Sequence, residues 1–258
     1  MKFHKLVITA KAMGAVNNSY RHFLFSSSMA IQEINLALRL YAMGLATLER
    51  AQTVGDDSLN AMAYSNMAML ERSLMSKLSE YSALLHAYSK FPRPQPETVE
   101  MTAFSIRAGE ALKNWSGDKI FRRMKWYRNN ASAHYSYQKD GIVELTEKIG
   151  CDQDEREFEI LVHGITGNTH YSLVEQLLAE RLGDDGQDPL KEAQKNAAFI
   201  KPLAFEITEL HYEFFKAFVK LLSVEPAVTE NVDVPYRFTW EEGTMLPILC
   251  RTPDVFAH

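Results

Sequence analysis

The spacing of apolar residues along the chain is that of long amphipathic helices. From Met29 to Arg50 they recur every three or four positions, as one face of an α-helix requires. Leu59 to Tyr88 has the strongest pattern, because it contains neither glycine nor proline. A further helix is predicted over Glu97 to Asn114, and Leu190 to Leu222 is predicted to be one long helix or a pair of helices kinked at Pro202. The pattern predicts an all-α, up-and-down helical bundle.

Turn and capping signals separate the predicted helices. Ser26-Ser27-Ser28 has the composition of a cap before the first helix. Gly55 to Ser58 predicts a turn that ends in a good N-cap, and Ser116-Gly117-Asp118 is a stop-and-start signal. Residues 3–25 combine helical spacing with interrupting glycine and asparagine, so the pattern leaves them open. Asp152 to Val162 is predicted to be a partial helix.

The composition of the chain changes after Val224. Prolines become frequent, and β-forming residues occupy Val232 to Trp240 and Met245 to Cys250, which predicts a small hairpin. We therefore divide the chain into a helical bundle domain, residues 1–225, and an extended C-terminal tail, residues 226–258. An isolated hairpin is marginal in water, so we expect the tail to pack on the bundle or on a partner subunit.

Composition and charge are those of a soluble globular protein. Hydrophobic residues make up 46% of the 258 residues and charged residues 24%. Cys151 and Cys250 have no metal-ligand or redox spacing, which favours a reducing, cytoplasmic location. The apolar run Leu6-Val7-Ile8 is too short for a signal peptide core, and no stretch reaches the ~20 apolar residues of a membrane helix. We expect no membrane association.

One short segment departs from the net charge of -5. Its basic and aromatic residues alternate, as in surfaces that hold phosphates and stack bases; they are Lys119, Phe121, Arg122, Arg123, Lys125, Trp126 and Tyr127. Asn is a poor interior helix residue and a good N-cap, so we expect one helix to end near Tyr127 and another to begin at Asn130. His134 would then lie one turn into the second helix, within reach of Arg128. Free N–H groups at that helix start would also favour an anion.

The segment resembles the HEPN family, whose helical domains carry an arginine, usually a polar residue, and a histidine a few positions later. The matching residues are Arg128, Asn129 and His134, and the resemblance is specific over residues 117–137. It implies a bundle of HEPN type with extra helices, in a homodimer whose two motifs face one cleft. It also implies a metal-independent endoribonuclease without cofactors, in a toxin-antitoxin or defence system, with these three residues as the catalytic ones. Its partners would be RNA and an antitoxin or other protein.

The remaining predicted site residues follow from the basic run. RNA would be held and stacked by residues of the first helix, which are Lys119, Arg122, Arg123, Lys125, Trp126 and Tyr127, with Phe121 as a further stacking platform. In the preceding long helix, Glu71 and Arg72 are expected in solvent; the alternative is a polar pair that faces the motif helix.

Other assignments are weaker or remain alternatives. Arg156 with His163 and Arg251 with His258 also have an arginine-to-histidine spacing that the HEPN motif allows. Neither pair has a run of basic residues before the arginine or polar residues that interrupt a helix after it. Motifs of di-metal bundles, Walker loops and dinucleotide folds are absent from the sequence. The alternative function is a non-catalytic helical interaction module that binds a protein partner or nucleotide. Its contact surfaces would be the methionine-rich helix and the aromatic helix around Phe214.

Overall fold

A computed structural model of the chain describes residues 2–92, 97–128, 160–161, 170–171, 189–222 and 227–233. Within them the helices are α1 (Ala10–Ala15), α2 (Asn18–Val54), α3 (Asp57–Lys90), α4 (Val99–Ser116), α5 (Lys119–Tyr127) and α6 (Pro189–Lys220). The strands are β1 (Lys2–Val7), β2 (Ile160–Leu161), β3 (His170–Tyr171) and β4 (Ala227–Asp233). The architecture is the predicted all-α bundle, with two short antiparallel strand pairs, β1–β4 and β2–β3.

The two longest helices, α2 and α3, form an antiparallel hairpin. Phe23 near the start of α2 packs on Tyr88 near the end of α3, whereas Tyr41, later in α2, bonds to Glu71, earlier in α3. The turn between them is tight because Gly55 ends α2 in the left-handed conformation, with φ 73°.

The N-cap of α3 differs from the predicted one. The side chain of Asp56 accepts from the N–H of Leu59, so α3 begins before Ser58, where we expected the turn to end. An aspartate at this position also places negative charge at the positive end of the helix. The predicted turn is therefore confirmed, with a different capping residue.

Helices α4 and α6 complete the up-and-down arrangement. Glu100, early in α4, bonds to Lys220 at the end of α6, whereas Trp115, late in α4, bonds to Glu206, earlier in α6. These two helices are therefore antiparallel. Helix α6 also contacts α2 and α3, so α2, α3, α4 and α6 surround one core. Pro202 lies inside α6, which continues through it as one helix.

An aromatic cluster fills one end of this core. Phe23, Tyr88, Phe104 and Phe214 come from four different helices, and the ring centroids of Phe23 and Phe214 are 4.6 Å apart, edge to face. Phe214 is fully buried, so the aromatic helix supplies the centre of the bundle. Phe214 itself is therefore not a contact residue, whereas Phe205 and Tyr212 on the same helix are exposed, and the expected contact surface on this helix stays a prediction.

The serine run predicted to cap the first helix lies inside α2. The helix begins at Asn18, where the side chain of Asn17 accepts from Ser19 N–H. Ser27 is buried, and its hydroxyl donates to the carbonyl oxygen of Leu24. Packing of Phe23 and its neighbours in the core overrides the capping preference of serine, which local sequence cannot reveal.

The short strands differ from one prediction and add a pairing between distant parts of the chain. Residues 160–161, expected to be helical, form β2 and pair with His170–Tyr171. β4, which includes Val232, pairs with β1 at the other end of the chain, a pairing that the sequence did not predict. The predicted hairpin partner, 245–250, lies outside the described residues, so the hairpin stays a prediction. Residues 234–258 lie outside the described ones. Every helix in the described ranges is too short or too polar to cross a membrane.

Candidate nucleic-acid interface

Helix α5 begins where the sequence predicts, directly after Ser116-Gly117-Asp118. The carboxylate of Asp118 accepts from the backbone N–H groups of Ile120 at 2.6 Å and Phe121 at 3.3 Å, which satisfies two free donors of the first turn. The α-helix is described to Tyr127, and Arg128 follows as its C-cap with helical backbone angles, φ -55° and ψ -45°. The predicted break at Asn129-Asn130 lies outside the described residues and stays a prediction.

Two buried side chains dock α5 on the bundle. Phe121 is 2% exposed, and Met124 is fully buried. The ring of Phe121 lies 6.1 Å from that of Trp115 on α4, and α5 also packs on α3. Phe121 is therefore part of the core and cannot act as the stacking platform that we expected. Trp126 is half-buried, so an edge of this side chain reaches solvent.

Four basic residues at every third position form what we call the cationic ridge: Lys119, Arg122, Lys125 and Arg128. Three residues of an α-helix turn through ~300°, so each ridge residue is rotated by ~60° from the one before it and the ridge winds around α5. Its first three members are exposed, and Arg128 is half-buried. The ridge spans roughly 14 Å at 1.5 Å per residue. No acidic residue lies between Lys119 and Arg128 in the sequence.

Arg128 lies on the side of α5 that faces the core. It follows Phe121 by seven positions and Met124 by four, which places it within about 20° and 40° of these buried residues around the helix axis. Across the described residues, its guanidinium group forms neither a hydrogen bond nor an ion pair. A half-buried guanidinium without a partner has its donors available for an anion.

Several basic residues elsewhere in the bundle are paired with carboxylates. Arg107 bonds to Glu209 and Glu213, and Lys220 lies 2.7 Å from Glu100. The hydrogen bond from Lys220 lowers the pKa of Glu100. In contrast, Lys119, Arg122 and Lys125 make no ion pair in the part of the chain that the structure describes, although Lys125 lies over the ring of Phe121 at 5.2 Å.

This lack of ion pairs among the described residues has an energetic consequence for α5. Like charges three residues apart on a helix destabilise it by a few tenths of a kcal/mol per pair, roughly 0.2–0.5. The negative end of the helix offsets part of this cost for Lys125 and Arg128, which lie in or beside the last turn. Residues that oppose local stability in this way are typical of functional surfaces.

A buried polar network connects α5 to the centre of the bundle. Nη1 of Arg123 donates to Oδ1 of Asn196 at 3.3 Å, and Nδ2 of Asn196 donates to Oε1 of Glu71 at 2.9 Å. The hydroxyl of Tyr41 lies 3.2 Å from the other oxygen of Glu71 and 3.1 Å from the carbonyl oxygen of Ala193. The network joins α2, α3, α5 and α6.

Burial of this network shows that the expectation of a solvated Glu71 is wrong. Glu71 is only 6% exposed, so it is not solvated, and its hydrogen bonds lead towards the motif helix. Burial and the neighbouring Glu71 raise the pKa of Tyr41 far above its ordinary value, which keeps the phenol protonated as a donor. The burial of Glu71 could have been predicted from its spacing. Glu71 follows Met67 by four positions and precedes Leu74 by three, so it lies on the apolar face of the helix.

The structure places the predicted site residues in different settings, and Trp126 among them is half-buried. Lys119, Arg122 and Lys125 lie on the exposed side of α5, while Arg123 is held by Asn196 and Arg128 faces the core. The backbone of Tyr127 is described, and its side chain is not. Asn129 and His134 lie outside the described residues, so the predicted approach of His134 to Arg128 stays a prediction.

Comparisons with family models, curated proteins and solved structures find no match to this chain. In the described ranges no three His, Cys, Asp or Glu side chains are grouped as ligands for a metal ion. The functional interpretation therefore depends on the geometry of α5 and on the chemistry of its residues.

Proposed function

We propose that the protein binds single-stranded RNA along the cationic ridge and cleaves it as a metal-independent endoribonuclease of HEPN type. The observation that carries this proposal is the state of Arg128, which is half-buried, faces the core and has no partner among the described residues. A guanidinium in this setting suits a phosphate, because it offers planar donors that no described carboxylate occupies.

The reaction needs one proton acceptor, one proton donor and a stabiliser of negative charge. The ribose 2′-hydroxyl loses its proton to a base and attacks the adjacent phosphorus, and the 5′-oxygen of the next nucleotide leaves with a proton. Histidine titrates near neutral pH, so His134 would serve in proton transfer. Arg128 would stabilise the charge that gathers on the phosphoryl oxygens, and polar Asn129 would assist at the same position. The products are a 2′,3′-cyclic phosphate and a 5′-hydroxyl.

The rest of α5 would hold the substrate. Lys119, Arg122 and Lys125 are exposed and form no ion pair with any described residue, and the edge of Trp126 offers a surface on which one base can stack. A homodimer with both ridges at one cleft would extend this contact along a longer RNA. The strand would then approach Arg128 from the solvent side of the ridge.

Cleavage in the presence of EDTA tests the proposal. We expect purified protein to cleave single-stranded RNA in EDTA and to leave a 2′,3′-cyclic phosphate. His134→Ala should lower the rate by about 10²–10⁴-fold, because it removes the proton-transfer group. His163→Ala, a change of a histidine outside the motif, is the matched control and should retain the rate. Loss of cleavage in EDTA, or full activity of His134→Ala, would contradict the mechanism.

A second candidate is a non-catalytic interaction module, and a separate surface favours it. Phe25, Met29 and Leu36 are 58%, 65% and 43% exposed, and their spacing aligns them on the face of α2 that points away from the core. This candidate predicts that no RNA is cleaved. It also predicts that Met29→Glu weakens association with a partner, whereas Arg128→Ala does not.

A further inference from the structure

Helix α5 has only nine residues, and helices of that length are marginal in isolation, so its orientation depends on contacts with the bundle. Phe121 and Met124 are buried, and Ile120 and Trp126 pack partly buried against the core. Apolar contacts are non-directional and tolerate a small rotation of the helix about its axis, which would carry Arg128 towards solvent. A directional hydrogen bond beside this packing would fix the rotation more closely.

Arg123 provides such an interaction on one flank of α5. It precedes Met124 by one position and so lies about 100° around the helix from it. Its guanidinium donates to Oδ1 of Asn196, which is 4% exposed and cannot move without disturbing the core. The flank of α5 is thereby fixed to α6.

Glu71 determines which end of the Asn196 amide meets Arg123. Because the NH₂ group of Asn196 donates to Glu71, the carbonyl oxygen is turned towards Arg123. Without an acceptor at position 71 the amide could turn over, and two donors would then face each other. Tyr41 holds the second oxygen of Glu71 and so fixes the carboxylate.

We propose that Glu71 and Asn196 are positioning residues that, through Arg123, fix the rotation of α5 and hold Arg128 on the side that faces the core. The consequence for RNA cleavage rests on the proposed function. The orientation itself does not, and it is measured first, without RNA.

The first experiment measures thiol labelling of Arg128→Cys in a background with Cys151→Ser and Cys250→Ser. Asn196→Leu should raise the labelling rate about tenfold, in line with the loss of a hydrogen bond to a charged group. Arg123→Met removes the same hydrogen bond by changing the half-buried partner, Arg123, in place of the buried Asn196. It therefore tests the proposal even if Asn196→Leu fails to fold. Labelling of Lys119→Cys, on the exposed side, is the control and should change little. Unchanged labelling of Arg128→Cys in Arg123→Met would overturn the proposal.

Two substitutions of Glu71 separate hydrogen-bond geometry from general stability. Glu71→Gln retains an oxygen for Asn196, and its NH₂ can donate to Tyr41, which still donates to Ala193. Glu71→Met fills the same space and removes the bonds to Asn196 and Tyr41. We expect Glu71→Gln to label like the parent and Glu71→Met to label about tenfold faster. If Glu71→Gln labels as fast as Glu71→Met, hydrogen-bond geometry is not what positions α5.

A cleavage series then distinguishes failure of this inference from failure of the proposed function. Glu71→Met and Arg123→Met should lower the single-turnover rate at saturating RNA, whereas Phe214→Leu, a core change in the aromatic cluster, should lower the melting temperature without lowering that rate. If Arg128→Ala is fully active, the proposed function fails. If Arg128→Ala is inactive while Glu71→Met is fully active, only the positioning inference fails.

Discussion

At the scale of single residues, the informative property is whether a charged group has a partner. Arg107 and Arg128 are both arginines of the bundle, yet Arg107 bonds to two carboxylates, and Arg128 makes no such contact within the described ranges. In the sequence, Arg128 differs from the other arginines because a run of basic residues precedes it and two asparagines follow it. The sequence cannot show that the side chain faces the core, because that depends on how Phe121 and Met124 dock.

Glu71 shows why sequence reasoning missed part of the site. A glutamate in a long helix is ordinarily solvated, and its burial requires partners on other helices. Here these partners are Tyr41 and Asn196, which are 30 and 125 residues away in sequence. Only the packed bundle brings these partners together. The expectation that Glu71 is solvated is therefore wrong, and local sequence could not have shown its partners.

His211 provides a prediction at the same scale. It lies between α6 and α2, where Nδ1 is 3.2 Å from the hydroxyl of Ser27, and burial lowers its pKa. The unfolded chain therefore binds a proton more readily than the folded one, and stability should fall as pH drops below about 6.5.

Urea unfolding between pH 7.5 and pH 5 measures this dependence. Replacement by glutamine keeps a side chain that can bond to Ser27 but removes the titration. His211→Gln should lose less stability than the wild type over this range. Equal losses in the two proteins would show that His211 does not contribute to the pH dependence.

At the scale of elements, α5 shows which features local sequence can define. Its start was predicted from the signal Ser116-Gly117-Asp118, within which Asp118 is the N-cap, because capping is a local interaction. The start of α2 was not predicted, since Ser26-Ser27-Ser28 has the local composition of a cap. Burial of Ser27 between helices decides the outcome there.

The cationic ridge predicts how RNA binding depends on salt. Each of Lys119→Ala, Arg122→Ala and Lys125→Ala should weaken binding and reduce the slope of log Kd against log salt concentration by about 0.7, the contribution of one phosphate contact on a single strand. Single-turnover cleavage at saturating RNA should change little, because in our proposal these residues hold the backbone and do not react. Fluorescence anisotropy at several salt concentrations measures the slope.

Lys113→Ala is the matched control for this series. Lys113 is an exposed lysine on α4 and makes no ion pair in the described part of the chain. Its replacement removes the same single positive charge but lies off the ridge. If Lys113→Ala reduces the salt slope as much as Lys119→Ala or Lys125→Ala does, binding reflects general charge and the ridge is not the RNA surface.

At the scale of the whole molecule, the helical periodicity was sufficient to predict the bundle. Apolar stripes on α2, α3, α4 and α6 are buried together when the four helices pack around one core, and the structure adopts this arrangement. Pairing of the two strands β1 and β4 was not predicted. Short strands carry a weak local signal, and no sequence feature links residues 2–7 with 227–233.

We predict a homodimer with the two ridges near its two-fold axis, since isologous pairing would double a sparse catalytic set. Light scattering at micromolar concentration should give the mass of two chains. In a background with Cys151→Ser and Cys250→Ser, Lys125→Cys should cross-link two copies, because a residue near the axis meets itself. Lys113→Cys is the control and should not cross-link. A monomer, or cross-linking only at position 113, would contradict this arrangement.

We propose that Arg128 acts on the RNA phosphate, and single-turnover cleavage of single-stranded RNA in EDTA measures its contribution to the rate. The assay compares wild type, Arg128→Ala and Lys113→Ala at saturating RNA, with melting temperatures recorded in parallel. We expect a loss of about 10²–10³-fold for Arg128→Ala, the effect of removing one donor to the transition-state charge, and no loss for Lys113→Ala. A folded Arg128→Ala protein that cleaves at the wild-type rate would contradict the proposal.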